Sequence, residues 1–395
     1  MISFDEAIGR VIELAKPLGT EKVALDQADG RYVARQVIAP FNSPATPMSA
    51  MDGYAVRDTD VARTPVSLQI VGKSFAGLGY CGEFPLRSCV RVFTGASVPR
   101  GTDRVVIQEK VQTDGSKAIF VESPSERRHI RNVGSDFLAG DVLVAAGCQL
   151  SPQRLVAAAA ADVAELEVFR QPRVFIICCG DELSEPGQSR NRPGSIPESI
   201  SFGVAALARR WGANVVGRAR KPDELEELQA VAASAVELAD VIVVIGGASV
   251  GEKDFAKDMF APLGLEFVFN KVAIKPGKPV WMGRLGERIV IGLPGNPTSA
   301  LVTARLFLAP LLTGMVGGDA NVVLAWRKLP LTVPVDACAE RETFLRARAD
   351  VGGVRPLSNQ DSAAQKAIAD CNLLIRHRAG APPVAAGTLV EAVTF

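Results

Sequence analysis

ADVIVVIGG, Ala239 to Gly247, sets five aliphatic residues between an aspartate and a pair of glycines. A strand that is apolar at every position offers no face to water, so it belongs in a parallel sheet covered by helices on both sides. VFIICCG, Val174 to Gly180, reads the same way. Around these two lie segments of helical spacing, Ser199 to Gly212 and Asp223 to Asp240, and strand-like runs at Ala213 to Arg220, Val272 to Gly283 and Arg288 to Leu293. Strands alternating with helices predict a doubly wound, three-layer α/β/α domain, which a helix from about Thr298 to Leu312 completes.

The texture changes on both sides of that domain. From Val23 to Leu150 the chain runs in short β-branched pieces broken by Gly, Pro and Asp, among them VSLQIVG (66–72), CVRVFTG (89–95) and DVLVAAG (141–147). Such pieces predict a β-rich module. Ahead of it, Ser3 and Glu6 form a capping-box pattern, and Phe4, Ile8, Val11, Ile12 and Ala15 follow at helical spacing. Beyond Gly314 the chain returns to strand-like runs and ends on the alternating TLVEAVTF (388–395), which predicts a small C-terminal β domain. The fold class expected is therefore multidomain, α/β plus β.

Composition narrows the function. With 48% hydrophobic and 22% charged residues the chain is globular. Its 44 Lys and Arg against 43 Asp and Glu give no general surface for nucleic acid or membrane, so any anion must be held locally. Seven scattered cysteines and two histidines argue against a soft-metal site and for core thiols in a reduced compartment. Asp5 and Glu6 stand where a secretory leader would be basic, and a cytoplasmic location is expected.

Ligands of an open parallel sheet bind beyond the carboxyl ends of its strands. Four loops expected there are polar and glycine-bearing: Gly180-Asp181-Glu182; GGASVGEKD (246–254), with Gly246, Gly247 and Ser249; KPGKP (275–279); and LPGNPTS (293–299). Glycines there can turn backbone N–H groups toward an anion, and Pro297-Thr298 opens a helix whose N-terminus is a positive dipole end. Lys275 and Lys278 supply full charges suited to a multiply charged oxyanion. Glu182, Asp240 and Asp254 are hard oxygen ligands that favour Mg²⁺ over zinc, although Asp240 also reads simply as the end of a helix before its strand. GKP at Gly277 lacks the Ser/Thr of a P-loop, and no G-x-G-x-x-G opens a helix, which disfavours P-loop enzymes and dehydrogenases.

SAMDGYAVR (49–57), VFTGASVPRGTDRVVIQE (92–109), RNVGSDFLAGD (131–141), CGDEL (179–183), GGASVGEKD, IKPGKP (274–279) and GLPGNPTSA (292–300) together resemble the molybdopterin molybdenumtransferase family, that of MoeA and the gephyrin E-domain. The resemblance implies four domains: 22–44 with 137–170 (domain I), 45–136 (a β-rich insert), 1–21 with 171–316 (the α/β molybdopterin-binding domain) and 317–395 (β-barrel-like). It implies a cytoplasmic homodimer that takes adenylylated molybdopterin and molybdate, cleaves the pyrophosphate with Mg²⁺ and releases AMP. Molybdopterin adenylyltransferase and recipient apo-molybdoenzymes are the implied partners.

By the same resemblance Lys275, Lys278 and Ser299 hold molybdate, with Arg346 and Ser362 as further candidates. Glu182, Asp240 and Asp254 position metal and pterin phosphate, with Glu182 and Asp254 as the metal ligands. Pro294 and Pro297 shape the pocket. Asp52, Thr94 and Asp136 face the α/β domain of the other subunit and complete its catalytic set. The chain departs from the family pattern at Pro47-Met48, Cys179, Pro197-Glu198 and Gln365 to Ala367, where hydroxyl or amide donors are lost. Those losses keep an alternative in view: a catalytically weakened pterin-binding scaffold of the same family.

Overall fold

The computed structural model describes residues 1–247 and 255–395, which form two compact units. One comprises residues 1–35, 146–155 and 164–395, the other residues 36–145 and 156–163.

In the first unit a six-stranded sheet has the order Asn214–Lys221, Arg173–Cys179, Val241–Ile245, Arg288–Leu293, Trp281–Leu285, Glu266–Phe269. The first four strands are mutually parallel, with Val174 beside Val241 and Val241 beside Ile289. All five residues of Val241–Ile245 are buried, as a central strand between helix layers requires. Helix Ile200–Arg210 and the long Pro297–Met315 helix share one core with this sheet, and helix Leu225–Leu238 packs in a second. The sheet is not wholly parallel, because Trp281–Leu285 and Glu266–Phe269 run antiparallel at one edge.

The run Val272 to Gly283 is two elements, not the single strand that its sequence predicts. Ile274–Lys275 leaves the α/β sheet and pairs in parallel with Glu342 and Thr343 of the C-terminal sheet, and Trp281–Leu285 returns to the α/β sheet. The turn between them presses on the long helix. Gly277 has φ 105°, and a Cβ on it would lie 2.2 Å from Thr303 Cγ2, so glycine is required there on both counts.

Helix Phe4–Leu14 starts as predicted, with Ser3 Oγ accepting from Glu6 N at 3.1 Å. The reciprocal half of the capping box is absent, because the Glu6 carboxylate pairs with Arg10 at 2.6 Å. Phe4 sits 5.8 Å from Phe307 of the long helix and 4.8 Å from Phe344 of the C-terminal sheet, ring centre to ring centre. Each such fully buried side chain is worth about 1.5–3 kcal/mol, so one aromatic cluster ties the N-terminal helix, the α/β layers and the C-terminal sheet together.

The Pro297–Met315 helix is long and apolar enough to cross a membrane, but 94% of it is buried within the fold, as a core helix is. Its middle turn, Ala304–Leu308, is a π turn that carries the buried Arg305, whose guanidinium donates to Thr394 O and Val323 O, both at 2.8 Å. The C-terminal sheet has the order Ile274–Lys275, Glu342–Asp350, Leu373–His377, Leu389–Thr394, Arg327–Pro330, with Gly353–Pro356 also beside Glu342–Asp350.

The second unit is built on its own six-stranded mixed sheet, ordered Arg104–Ile107, Gly53–Val56, Ser88–Val92, Val66–Ser74, Lys117–Phe120, Val111–Asp114. Val56, Leu68 and Phe120 belong to one apolar cluster on it, and Ala55, Val90 and Val105 to another. Adjacent residues along a strand point to opposite faces, which is why Ala55 and Val56 fall in different clusters.

Candidate active site

Three of the predicted loops converge at the carboxyl edge of the parallel strands. Glu182 follows Arg173–Cys179, Gly246 and Gly247 follow Val241–Ile245, and Pro294 to Pro297 follow Arg288–Leu293. All of these line one cavity of about 780 Å³ with Lys278. Gly246 adopts φ 90°, and a Cβ on it would meet the Cys179 carbonyl oxygen at 2.6 Å. Only glycine lets these two loops approach each other. Ser249 and Asp254 lie outside the described residues.

The cavity also holds residues that sequence reasoning missed. Asp223 follows the edge strand Asn214–Lys221 and lines the cavity, its backbone N–H donating to Asp181 Oδ1 at 3.0 Å. The strand-end rule that selects the other loops selects Asp223 too, although the residue also reads as the start of a helix. Lys271 lines the cavity with Lys278, and the chain doubles back between them, the next residue Val272 donating its N–H to Lys278 O at 3.1 Å. A lysine on each side of the VAIKPG turn was the available signal. Cys179 and Glu198 stand where the chain departs from the family pattern, and both line the cavity. Burial, and then the charge of Asp223, push the Cys179 thiol up to about 12, so it stays a neutral thiol and not a nucleophile. Glu198 is turned into its own helix, accepting from Ser201 N at 2.8 Å and Ser201 Oγ at 2.5 Å.

Beside this cavity lies a second polar feature. The N-terminal turn of the Pro297–Met315 helix carries the buried Thr298 and Ser299, and Thr298 Oγ1 donates to Ser362 O at 2.7 Å. Arg346 reaches the same turn, Nη1 to Thr298 Oγ1 at 3.5 Å. Arg346 is 1% exposed, and its Nε and Nη2 atoms are buried without a hydrogen-bond partner among the described residues. Burial pushes its pKa below the usual arginine value. A guanidinium so placed, with donors left over beside a helix N-terminus, is suited to an oxyanion.

The structure does not bring all the predicted residues together. Lys275 opens onto a different cavity, at the C-terminal sheet, and among the described residues it is not part of the lining of the cavity that holds Lys278. Asp240 is corrected outright. It precedes Val241–Ile245, so a five-residue strand of roughly 17 Å separates it from Gly246. Its carboxylate accepts from Arg170 Nη1 at 2.9 Å, Arg170 Nη2 at 3.2 Å and Arg173 N at 2.7 Å. Burial works to raise its pKa, but those donors outweigh burial and hold it below the usual carboxylate range. Asp240 is a strut at the amino edge of the sheet.

In the second unit Asp52 and Thr94 are joined. Asp52 Oδ1 accepts from Thr94 N and Thr94 Oγ1, both at 2.7 Å, and these bonds lower its pKa, the backbone bond most. Asp136 is fixed through its backbone, its N–H donating to Ser43 O at 3.0 Å.

Among the described residues no three His, Cys, Asp or Glu side chains cluster as metal ligands. Mg²⁺ needs only one or two protein carboxylates when a substrate supplies phosphate oxygens, and Glu182 in the cavity meets that requirement.

The chain is similar to known proteins in sequence and in fold. Residues 2–161 match the family model described as the MoeA N-terminal region (domain I and II), and residues 175–314 match that of a probable molybdopterin binding domain. A molybdopterin molybdenumtransferase of Haemophilus influenzae is 38% identical over 332 residues, 84% of this chain and 80% of that protein. Molybdopterin molybdenumtransferase 2 of Mycobacterium tuberculosis is 33% identical over 394 residues, 96% of each chain. The crystal structure of a molybdopterin biosynthesis moea protein from Pyrococcus horikosii superposes with a TM-score of 0.84 at 26% identity, covering 100% of this chain and 99% of that one.

Proposed function

This chain belongs to the MoeA family and takes part in molybdenum cofactor biosynthesis, and from that premise we propose that it inserts molybdate into adenylylated molybdopterin with release of AMP. The observation that carries this reading is Arg346, a buried guanidinium with two unpartnered nitrogens beside a helix N-terminus. In the proposed site Arg346, Ser299 and the helix dipole hold the oxyanion. The adjoining cavity, lined by Lys271, Lys278, Glu182 and Asp223, takes the pterin and its pyrophosphate. Lysines there neutralise phosphate charge as the phosphoanhydride bond breaks and water adds across it. Mg²⁺, held by Glu182 and by Asp254, would screen the same charge.

We read the four-domain division and the homodimer as part of this proposal. Asp52, locked by Thr94 with its carboxylate exposed, and Asp136 are assigned to the cavity of a partner subunit. Mixing an Asp52→Asn chain with a Lys278→Ala chain should then restore part of the activity that each variant lacks alone.

The direct test is AMP release from adenylylated molybdopterin with Mg²⁺, with and without molybdate, followed by activation of a cofactor-free molybdoenzyme. Molybdate-stimulated release with activation supports the transferase. Tight pterin binding without release supports the weakened scaffold, which the neutral Cys179 thiol in the family's threonine position favours.

A further inference from the structure

A second cavity, of about 1130 Å³ and open to solvent, lies at the C-terminal sheet with Arg348 and Arg355 exposed, and it shares no lining residue with the pterin cavity. Lys275, Arg341, Arg348 and Arg355 line it. Arg348 and Arg355 are direct cross-strand partners between Glu342–Asp350 and Gly353–Pro356. Like charges directly opposite each other destabilise a ladder, so an arginine pair in register is a cost unless something neutralises it. Asp350 neutralises only one side, pairing with Arg355 at 2.6 Å. Among the described residues Arg348, Arg341 and Lys275 have no carboxylate partner within 4.0 Å, and Arg341 reaches only the Ile274 carbonyl, at 3.3 Å.

We propose that this cavity is a second anion site, for a phosphate-bearing ligand of nucleotide size. Arginine forks suit phosphate oxygens in pairs, and here two of them face each other across one ladder. The volume is that of a pocket for a whole small molecule and far exceeds a tetrahedral oxyanion. The other lining residues match the rest of such a ligand. Leu345 and Leu357 offer apolar surface for a ring, and Asp336, Glu340 and Asp370 offer acceptors for sugar hydroxyls or a ring amino group. Those three carboxylates also disfavour a bare oxyanion, whose every atom they would repel. The inference stands independently of the proposed function.

The test is equilibrium dialysis of the full chain at low salt against AMP and, separately, inorganic phosphate. The wild type, Arg348→Gln and Arg341→Gln, which alter two separate lining residues, are compared with Lys278→Ala, which reports on the pterin cavity. The expected result is AMP bound at a site that weakens about tenfold or more in both arginine variants and is unchanged in Lys278→Ala, since a hydrogen bond to a charged group is lost. Ligand-free Arg348→Gln should melt no lower than wild type, because the substitution relieves a like-charge pair; this separates lost binding from lost folding. Identical AMP isotherms for wild type and both arginine variants overturn the site. AMP binding that only Lys278→Ala removes does the same, and inorganic phosphate binding as tightly as AMP overturns the nucleotide-sized ligand.

Discussion

The two ends of the strand Val241–Ile245 handle charge in opposite ways. At the amino end Asp240 is buried and its carboxylate is fully engaged by Arg170 and Arg173. At the carboxyl end Gly246 and Gly247 open onto a cavity with two lysines, and the neighbouring Arg346 keeps two buried nitrogens unpaired. A saturated cluster holds a fold together, whereas an unsaturated one is completed by a ligand. Charge and burial alone do not separate these two cases, because Asp240 and Arg346 are both almost wholly buried. Whether the hydrogen-bonding capacity is spent separates them.

Arg346→Met gives the sharpest break of this contrast. An unpaired buried charge costs stability, so an apolar replacement should raise the melting temperature of the ligand-free protein, by an amount equivalent to about 1–4 kcal/mol. The same change should lower molybdate-dependent AMP release by about 100-fold or more, as loss of a preorganised charge does. Calorimetry and turnover on one preparation check both; a destabilised variant with normal turnover would make Arg346 a strut like Asp240.

Asp240→Asn should do the reverse, costing about 2–3 kcal/mol at pH 7 while leaving turnover per folded molecule intact. Because the folded-state carboxyl is held below its ordinary value, its stabilisation is complete above an unfolded pKa of roughly 3.9 and disappears as pH falls through the folded value. Urea unfolding of wild type and variant should therefore converge below pH ~4. A constant difference down to low pH would mean that the charge is not what Asp240 contributes.

Within IKPGKP the two lysines should separate. Lys278→Ala, in the cavity at the strand ends, should lose about tenfold in turnover, and Lys275→Ala less, because it opens onto the other cavity. Equal losses would mean that the two cavities act as one. The smallest effect expected is local to the second unit. Thr94→Val removes one of the two donors to Asp52 Oδ1 and keeps the backbone one, so the Asp52 pKa should rise part of the way to its ordinary value in a carboxyl NMR titration.

Much of the site was legible because strand ends are legible. Once VFIICCG and ADVIVVIGG are read as parallel strands, the residues after them must lie on one edge. That argument found Glu182, Gly246, Gly247, Pro294 and Pro297, and applied to Ala213 to Arg220 it would also have found Asp223. It argued against Asp240 as well, since ADVIVVIGG already sets that residue before its strand, at the opposite edge from the loops it was grouped with. It also gave no weight to Lys271, which reaches the cavity only because the chain doubles back after Ile274–Lys275.

The layers follow from residue order alone, since burial on both faces of a strand and amphipathic spacing in a helix are local properties. Residue order also determines the residue types gathered at the strand ends, and through its motifs the family. Which charges are spent is set by packing. Asp240 meets Arg170 across 70 positions, Arg346 meets Thr298 across 48, and Ile274–Lys275 joins a sheet whose partner strand begins at Glu342. Those pairings depend on packing between distant segments, which no periodicity in the chain encodes, and they separate a strut from a binding site.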